Sequence, residues 1–90
     1  MKIKAKVWQR GRPEDEHSQV FVDAEPGEAL HTTAMQAAMR FCREWQDVEG
    51  RGIGASWFPL ALMVRVEGAE PVRVIVRARF EPQFSAEVMP

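Results

Sequence analysis

The sequence contains a single cysteine, Cys42, and this scarcity excludes two ways of stabilising a small protein. One cysteine cannot form an internal disulfide or supply the several thiolates of a cysteine-based zinc site. A chain of 90 residues without such a staple must gain its stability from packing or from a partner subunit. The cysteine usage predicts a cytoplasmic protein.

Long apolar runs are missing as well. No stretch approaches the roughly 18 residues that a helix needs to cross a bilayer. The N-terminal segment 1–6 alternates lysine with apolar residues, whereas a signal peptide has a continuous apolar core. We therefore expect no membrane span and no export signal.

The net charge is also close to zero. The chain has 12 Lys and Arg against 13 Asp and Glu, a formal charge of −1. This balance argues against a strongly basic nucleic-acid clamp and against an acidic DNA mimic, unless the charges are segregated in space. The apolar fraction of 46% is typical of a globular protein, and the length predicts one domain over residues 1–90.

The residue sets of common catalytic sites are absent from the sequence. Paired carboxylates, a Ser/His/Asp set and a phosphate-binding lysine motif are all missing. His31 and Cys42 are 11 positions apart, which is about 16 Å along a helix axis, so they cannot share a proton. We predict that Cys42 is a packed small hydrophobe. The expected protein is not an enzyme and has no cofactor.

Two further motifs favour loops over ligand sites. His17 follows the acidic segment 14–16, which is either a loose metal site or an exposed loop, and metal sites require convergent, supported ligands. We therefore predict no metal. The glycines of segment 50–54 follow a helical pattern and precede a strand pattern, the reverse of the order in a phosphate-binding loop. They predict a connector, with Arg51 as a contact residue at its tip.

Hydrophobic periodicity predicts four strands and one helix. Alternation marks strands at 2–10, 19–24, 60–67 and 72–81, with a hairpin loop at 11–18 and a turn at 68–71. Helical spacing runs from the Glu25–Glu28 segment, where Pro26 suits a first helical turn, to about Asp47. The apolar stripe of this helix comprises Leu30, Ala34, Ala37, Phe41, Trp45 and Val48, and a pair between Arg43 and Asp47 is expected on its polar side.

The element order ββαββ predicts an α+β fold in which one helix covers one face of a four-stranded antiparallel sheet. The tail 82–90 either stays loose or adds a short edge contact through Phe84 and Val88. One helix cannot cover both faces of a sheet, so the opposite face is free for solvent or a partner. We call this opposite face the open face.

The predicted open face is basic and carries large apolar groups. It has eight basic and three acidic residues, a net charge of +5, while the rest of the chain sums to −6. The apolar groups among them are Trp8, Phe21, Met63 and Ile75. The predicted partner-binding residues of this face are Lys4, Lys6, Trp8, Arg10, Phe21, Arg65, Arg73, Arg77 and Arg79.

Three interpretations of the open face stay open. Its bases could guard the sheet against aggregation, its Trp and Arg side chains could anchor a protein partner, or Trp8 and Phe21 could stack on single-stranded nucleic acid. A separate pair of alternatives concerns the helix flank that carries Met35, Met39 and Trp45: these side chains fill the core, or the adaptable Met side chains contact a second copy or another partner.

The helix region also resembles a known group of proteins. The segments AEPGEA at 24–29 and AMQAAM at 34–39, followed by Glu44-Trp45, are similar to the helix region of small phage-encoded anti-CRISPR proteins. That resemblance implies a sheet with a single helix and a non-enzymatic protein. It implies binding to a component of a CRISPR surveillance complex, which blocks target DNA binding or nuclease recruitment.

The leading hypothesis is therefore a small cytoplasmic protein, encoded by a phage or mobile element, that inhibits a host protein or ribonucleoprotein complex by steric occlusion. The expected contact is the basic and aromatic open face. The alternatives are a nucleic-acid-binding module that uses the same face and a structural homodimer.

Overall fold

A computed structural model describes residues 1–47, 59–78 and 84–90 of the chain. These residues form one α-helix, five strands and one short 3-10 turn. In chain order the elements are β1 (Lys2–Gln9), the 3-10 turn (Glu14–Glu16), β2 (Ser18–Asp23), α1 (Leu30–Asp47), β3 (Leu60–Val66), β4 (Val72–Ala78) and β5 (Phe84–Val88).

The strands form one antiparallel sheet in the order β2-β1-β3-β4-β5. Strand β1 lies between β2 and β3, with Ala5 opposite Val20 on one side and opposite Val66 on the other. Because β2 and β3 both run antiparallel to β1, they run parallel to each other. Helix α1 connects them and crosses the sheet, where it contacts all five strands.

The core lies between α1 and one face of the sheet. The described apolar residues of β1–β4 that alternate toward the helix are buried, apart from the partly buried Ile3, which confirms the period-2 pattern of the sequence. The helix contributes mostly small side chains, which allow its backbone to approach the sheet closely. The core cluster comprises Ala5, Val7, Val20, Val22, Ala34, Ala37, Ala38, Phe41, Cys42, Leu60, Leu62, Val64, Val66, Val72, Val74 and Val76.

A fifth strand corrects the predicted four-stranded sheet and the order ββαββ. Residues 84–88 form β5, which pairs with β4 from Val74 opposite Val88 to Ala78 opposite Phe84. Of the two alternatives for the tail, the edge contact is therefore right, and the contact is a full strand. The other predicted strands agree with the observed ones to within one residue at each described end, and positions 79–81 of the predicted fourth strand lie outside the described residues.

The helix begins later than predicted, at Leu30, because a separate turn precedes it. The amide of Glu28 donates to the carbonyl of Glu25 at 3.0 Å, and Gly27 has a φ of 80°. Proline followed by glycine at positive φ defines a type II turn, so Pro26 belongs to this turn and not to the helix. The buried Thr33 hydroxyl then donates to the Glu28 carboxylate at 2.8 Å, which fastens the turn to the first helical turn.

The buried side of α1 is rotated from the predicted stripe. Leu30 is 37% exposed, whereas Ala38 and Cys42, which are not part of the predicted stripe, are fully buried with Ala34 and Ala37. Burial raises the pKa of the Cys42 thiol to about 11, so the thiol stays protonated, as expected for a packed hydrophobe. Val48, and with it the end of the predicted stripe, lies outside the described residues. On the polar side an ion pair joins Arg40 to Glu44, while the side chain of Asp47, and with it the predicted Arg43–Asp47 pair, lies outside the described residues.

Among the described helices, none has the length and apolar character that a membrane span requires.

The packing of Leu62 gives a first test of this core. Leu62 is 2% exposed on the central strand β3, so Leu62→Ala leaves a cavity and should lower the free energy of unfolding by about 2–5 kcal/mol. The same substitution at the partly exposed Leu30 should cost less than about 1 kcal/mol. Urea denaturation of both variants checks this expectation, and equal losses would contradict the described core.

Candidate functional site

The open face carries a mixed set of side chains whose positions follow from the strand register. Residues directly opposite one another in a sheet point to the same face. Lys4 lies opposite Phe21, and Trp8 lies opposite Met63, which in turn lies opposite Arg73. The strand residues of the open face are Lys2, Lys4, Lys6, Trp8, Gln19, Phe21, Asp23, Ala61, Met63, Arg65, Arg73, Ile75, Arg77, Ser85 and Glu87.

The loop between β1 and β2 folds back over this face. Its residue Glu14 accepts two hydrogen bonds from the guanidinium of Arg65, from Nε at 2.9 Å and from Nη2 at 3.0 Å. The same carboxylate lies 3.9 Å from Nζ of Lys6. Arg65 donates a third hydrogen bond to the carbonyl of Ala69 at 3.1 Å. A bidentate pair of this kind fixes both partners in orientation as well as in distance.

The Glu14–Arg65 pair shifts the pKa values of both side chains. The hydrogen bonds from Arg65 lower the pKa of the Glu14 carboxyl below its ordinary value of 4.5, and the positive charges of Arg65, Lys6 and His17 act in the same direction. The hydrogen bonds to Glu14 in turn raise the pKa of Arg65. The ion pair is therefore intact at neutral pH.

The burial of Trp8 differs from the prediction that its ring faces solvent or a partner. Trp8 lies on the open face as expected, but it is only 7% exposed. On the same face, Glu14 of the loop after β1 reaches Lys6 and Arg65, and their row is the open-face neighbour of the row of Trp8 and Met63. The Glu14–Arg65 contact joins residues 51 positions apart, and no local pattern of the sequence indicates it.

Two other predicted contact arginines are also engaged within the chain. Arg77 forms an ion pair with Glu87 of β5, and Arg73 donates from Nη2 to the carbonyl of Pro90 at 2.8 Å. Glu87 was not among the predicted open-face residues, because the tail was predicted either to stay loose or to add an edge contact. Arg79, another predicted contact residue, lies outside the described residues.

The charge of the open face is smaller than predicted. Glu14 and Glu87 lie on the open face in addition to Asp23 and Glu67. The described residues of this face therefore include seven basic and four acidic side chains, a net charge of +3. The predicted +5 included Arg79 and Glu81, which are not described. Segregation of charge therefore persists in a weaker form than the sequence indicated.

One group of exposed side chains lies at the β1–β2 edge of the open face. Lys2, Lys4, Gln19, Phe21 and Asp23 are all exposed and adjacent in the register, and we call them the edge patch. Phe21 is 51% exposed, the largest fraction for an aromatic residue in the described part of the chain. Of the remaining predicted contact residues, Arg10 is exposed, whereas Lys6 is half-buried beside Glu14.

His17 has a structural contact. Its Nδ1 lies 2.8 Å from the carbonyl oxygen of Glu14, which closes the 3-10 turn on itself. Within the described ranges no cluster of three or more His, Cys, Asp or Glu side chains is arranged to hold a metal ion. The glycine segment 50–54 and Arg51 lie outside the described residues.

Comparison of the chain with known protein families, with curated proteins and with solved structures finds no match.

Acidification gives a test of the Glu14–Arg65 pair. Because folding lowers the pKa of Glu14, the pair stabilises the protein at pH values above 4.5, and this contribution is lost as the pH falls below that value. We expect Glu14→Gln to melt at a lower temperature than the wild type at pH 7, with the two curves converging toward pH 3.

A matched control removes one charge from the same turn. Among the described residues Glu16 forms an ion pair only with Arg12, at 3.9 Å, so Glu16→Gln keeps the Glu14 pair and should retain the wild-type loss of stability on acidification. Thermal unfolding by circular dichroism at a series of pH values measures all three proteins. Parallel curves for the wild type and Glu14→Gln would contradict the assignment.

Proposed function

We propose that this chain is a small, non-enzymatic binding protein that contacts a protein partner through the edge patch. The observation that carries the proposal is Phe21, a large apolar side chain that is half-exposed and lies directly opposite Lys4. Aromatic side chains surrounded by polar groups are typical anchors of protein interfaces, because they bury a large apolar area once a partner excludes water.

The geometry favours a protein partner over single-stranded nucleic acid. Stacking requires accessible aromatic rings, and Trp8 is only 7% exposed. Electrostatic attraction to phosphates requires unpaired bases, whereas Arg65 and Arg77 are each bound to a carboxylate of the chain itself. One exposed aromatic ring with a few lysines fits a protein surface better than it fits a nucleic-acid strand.

The biological role we propose is inhibition of a host complex by steric occlusion. The support for this role is the resemblance of the segments 24–29 and 34–39 to the helix region of small anti-CRISPR proteins. The exposed edge patch supplies a contact surface that such an inhibitor requires. The proposed partner is accordingly a protein component of a CRISPR surveillance complex in the host cytoplasm.

Two substitutions test the contact surface. Lys4→Glu reverses a charge and Phe21→Ala removes the anchor, while neither residue belongs to the core. We expect each substitution to weaken binding to purified surveillance complexes about tenfold or more, which corresponds to a loss of about 1.4 kcal/mol or more. Biolayer interferometry measures the binding, and a target-DNA binding assay measures the inhibition.

The control variants make matched changes on the opposite side of the molecule. Leu30→Ala and Arg43→Glu alter an exposed apolar residue and an exposed base of α1, and they should bind as the wild type does. Equal losses in the test and control pairs would contradict the edge patch. If the wild type binds none of the complexes, the CRISPR role is wrong. Binding of oligonucleotides that falls steeply with salt would instead favour the nucleic-acid alternative.

A further inference from the structure

Strand β2 is an outer strand of the sheet, and the hydrogen bonds of β1 show which of its backbone groups point outward. The amide of Ala24 donates to the carbonyl of Met1 at 2.9 Å, and the amide of Glu67 donates to the carbonyl of Lys4 at 3.1 Å. Odd residues of β1 therefore bond to β2, and even residues bond to β3. In antiparallel pairs the bonded residues alternate, so the even residues of β2 are bonded to β1.

The free edge of β2 is consequently formed by its odd residues. Gln19, Phe21 and Asp23 direct their amide and carbonyl groups away from the sheet. Such a row of groups is a template for another strand. Proteins that avoid this pairing place lysine, proline or a bulge on the edge strand, and β2 has none of them: its sequence is SQVFVD, and its register with β1 is unbroken.

We propose that β2 pairs antiparallel with β2 of a second copy of this chain, which joins the two sheets into one. The two-fold axis passes through Phe21, so that Phe21 lies opposite the partner's Phe21 and Gln19 lies opposite the partner's Asp23. In this register all three outward residues exchange hydrogen bonds with outward residues. A shift by two residues in either direction leaves one of the three unpaired.

The side chains of β2 are complementary to themselves in this register. Phe21 meets the partner's Phe21 on the open face, and aromatic cross-strand pairs are among the most favourable in sheets. Val20 meets the partner's Val22 on the helix-covered face, which continues the apolar core across the junction. Asp23, the one charged residue of β2, meets a glutamine, so that no like charges are opposed. A register centred on Asp23 would oppose two carboxylates.

Dimerisation would extend the edge patch. The two Phe21 rings would lie at the centre of the open face, with a Lys4 of each copy one strand away on either side. The inference does not depend on the proposed function, because the pairing uses the backbone of β2 in the purified protein alone. Lys4 belongs to β1, which is not an edge strand, so Lys4→Glu should leave the dimer intact even where it abolishes partner binding.

Cysteine cross-linking tests the register. Residues opposite each other in a bonded antiparallel pair have Cα atoms about 5.5 Å apart, within the range that a disulfide spans. Phe21→Cys should therefore form a covalent dimer under mild oxidation. Gln19→Cys is the matched control: its counterpart lies four residues away, about 13 Å, which no disulfide can bridge. The native Cys42 is fully buried and does not interfere.

The readouts are non-reducing electrophoresis of both variants and sedimentation of the wild type over a range of concentrations, with circular dichroism to verify folding. The proposal expects a wild-type mass that rises from one chain toward two, and at least tenfold more cross-linking for Phe21→Cys than for Gln19→Cys. A monomer at every concentration would overturn it. A dimer in which Gln19→Cys and Phe21→Cys cross-link equally, or in which neither cross-links, would also overturn the proposed register. Pairing of β2 only with a segment of another protein, and not with a second copy, would overturn the proposal too.

Discussion

The structure depends on one constraint: a single helix can cover only one face of a five-stranded sheet. Helix α1 closes the face that carries the valines and leucines, which leaves Trp8, Met63 and Ile75 on the other side. The loop between β1 and β2 lies on that side, where Glu14 binds Arg65 and lies 3.9 Å from Lys6. This charged contact fixes the loop beside the row of Trp8, which is buried although the helix packs on the other face of the sheet.

Ion pairs within the chain also reduce the number of unpaired bases on the open face. The bases of the open face would attract a polyanion if they were unpaired, but the two best placed arginines, Arg65 and Arg77, are held by Glu14 and Glu87. Lys2 and Lys4 are exposed near Phe21 at the β1–β2 edge, and Arg10 and Arg73 are exposed elsewhere on the open face. The β1–β2 edge therefore presents one aromatic side chain beside two lysines, next to a strand edge whose backbone groups are unsatisfied within the described part of the chain.

Much of the fold was predictable because each strand has one buried face. Alternation through Val20 and Val22, or through Leu60, Leu62 and Val64, identifies both the strands and their inward residues. The candidate site was predictable only in part. Lys4 and Phe21 are exposed as expected, whereas Trp8 is buried, and no periodicity encodes the contact between positions 14 and 65 on the same face. The helix start was misplaced because Pro26 suits a helical first turn and a type II turn equally well.

Trp8 is buried on the open face, and Phe21 is the exposed aromatic side chain among the described residues of that face. Hydroxyl-radical footprinting of the native protein, read by mass spectrometry, tests this difference. Indole and thioether groups are intrinsically more reactive toward these radicals than a phenyl ring, so the order of labelling reports accessibility. We expect the labelling rate of Phe21, as a fraction of its rate in the fully unfolded chain, to exceed the corresponding fraction for Trp8. Labelling of Trp8 at its unfolded rate would contradict it.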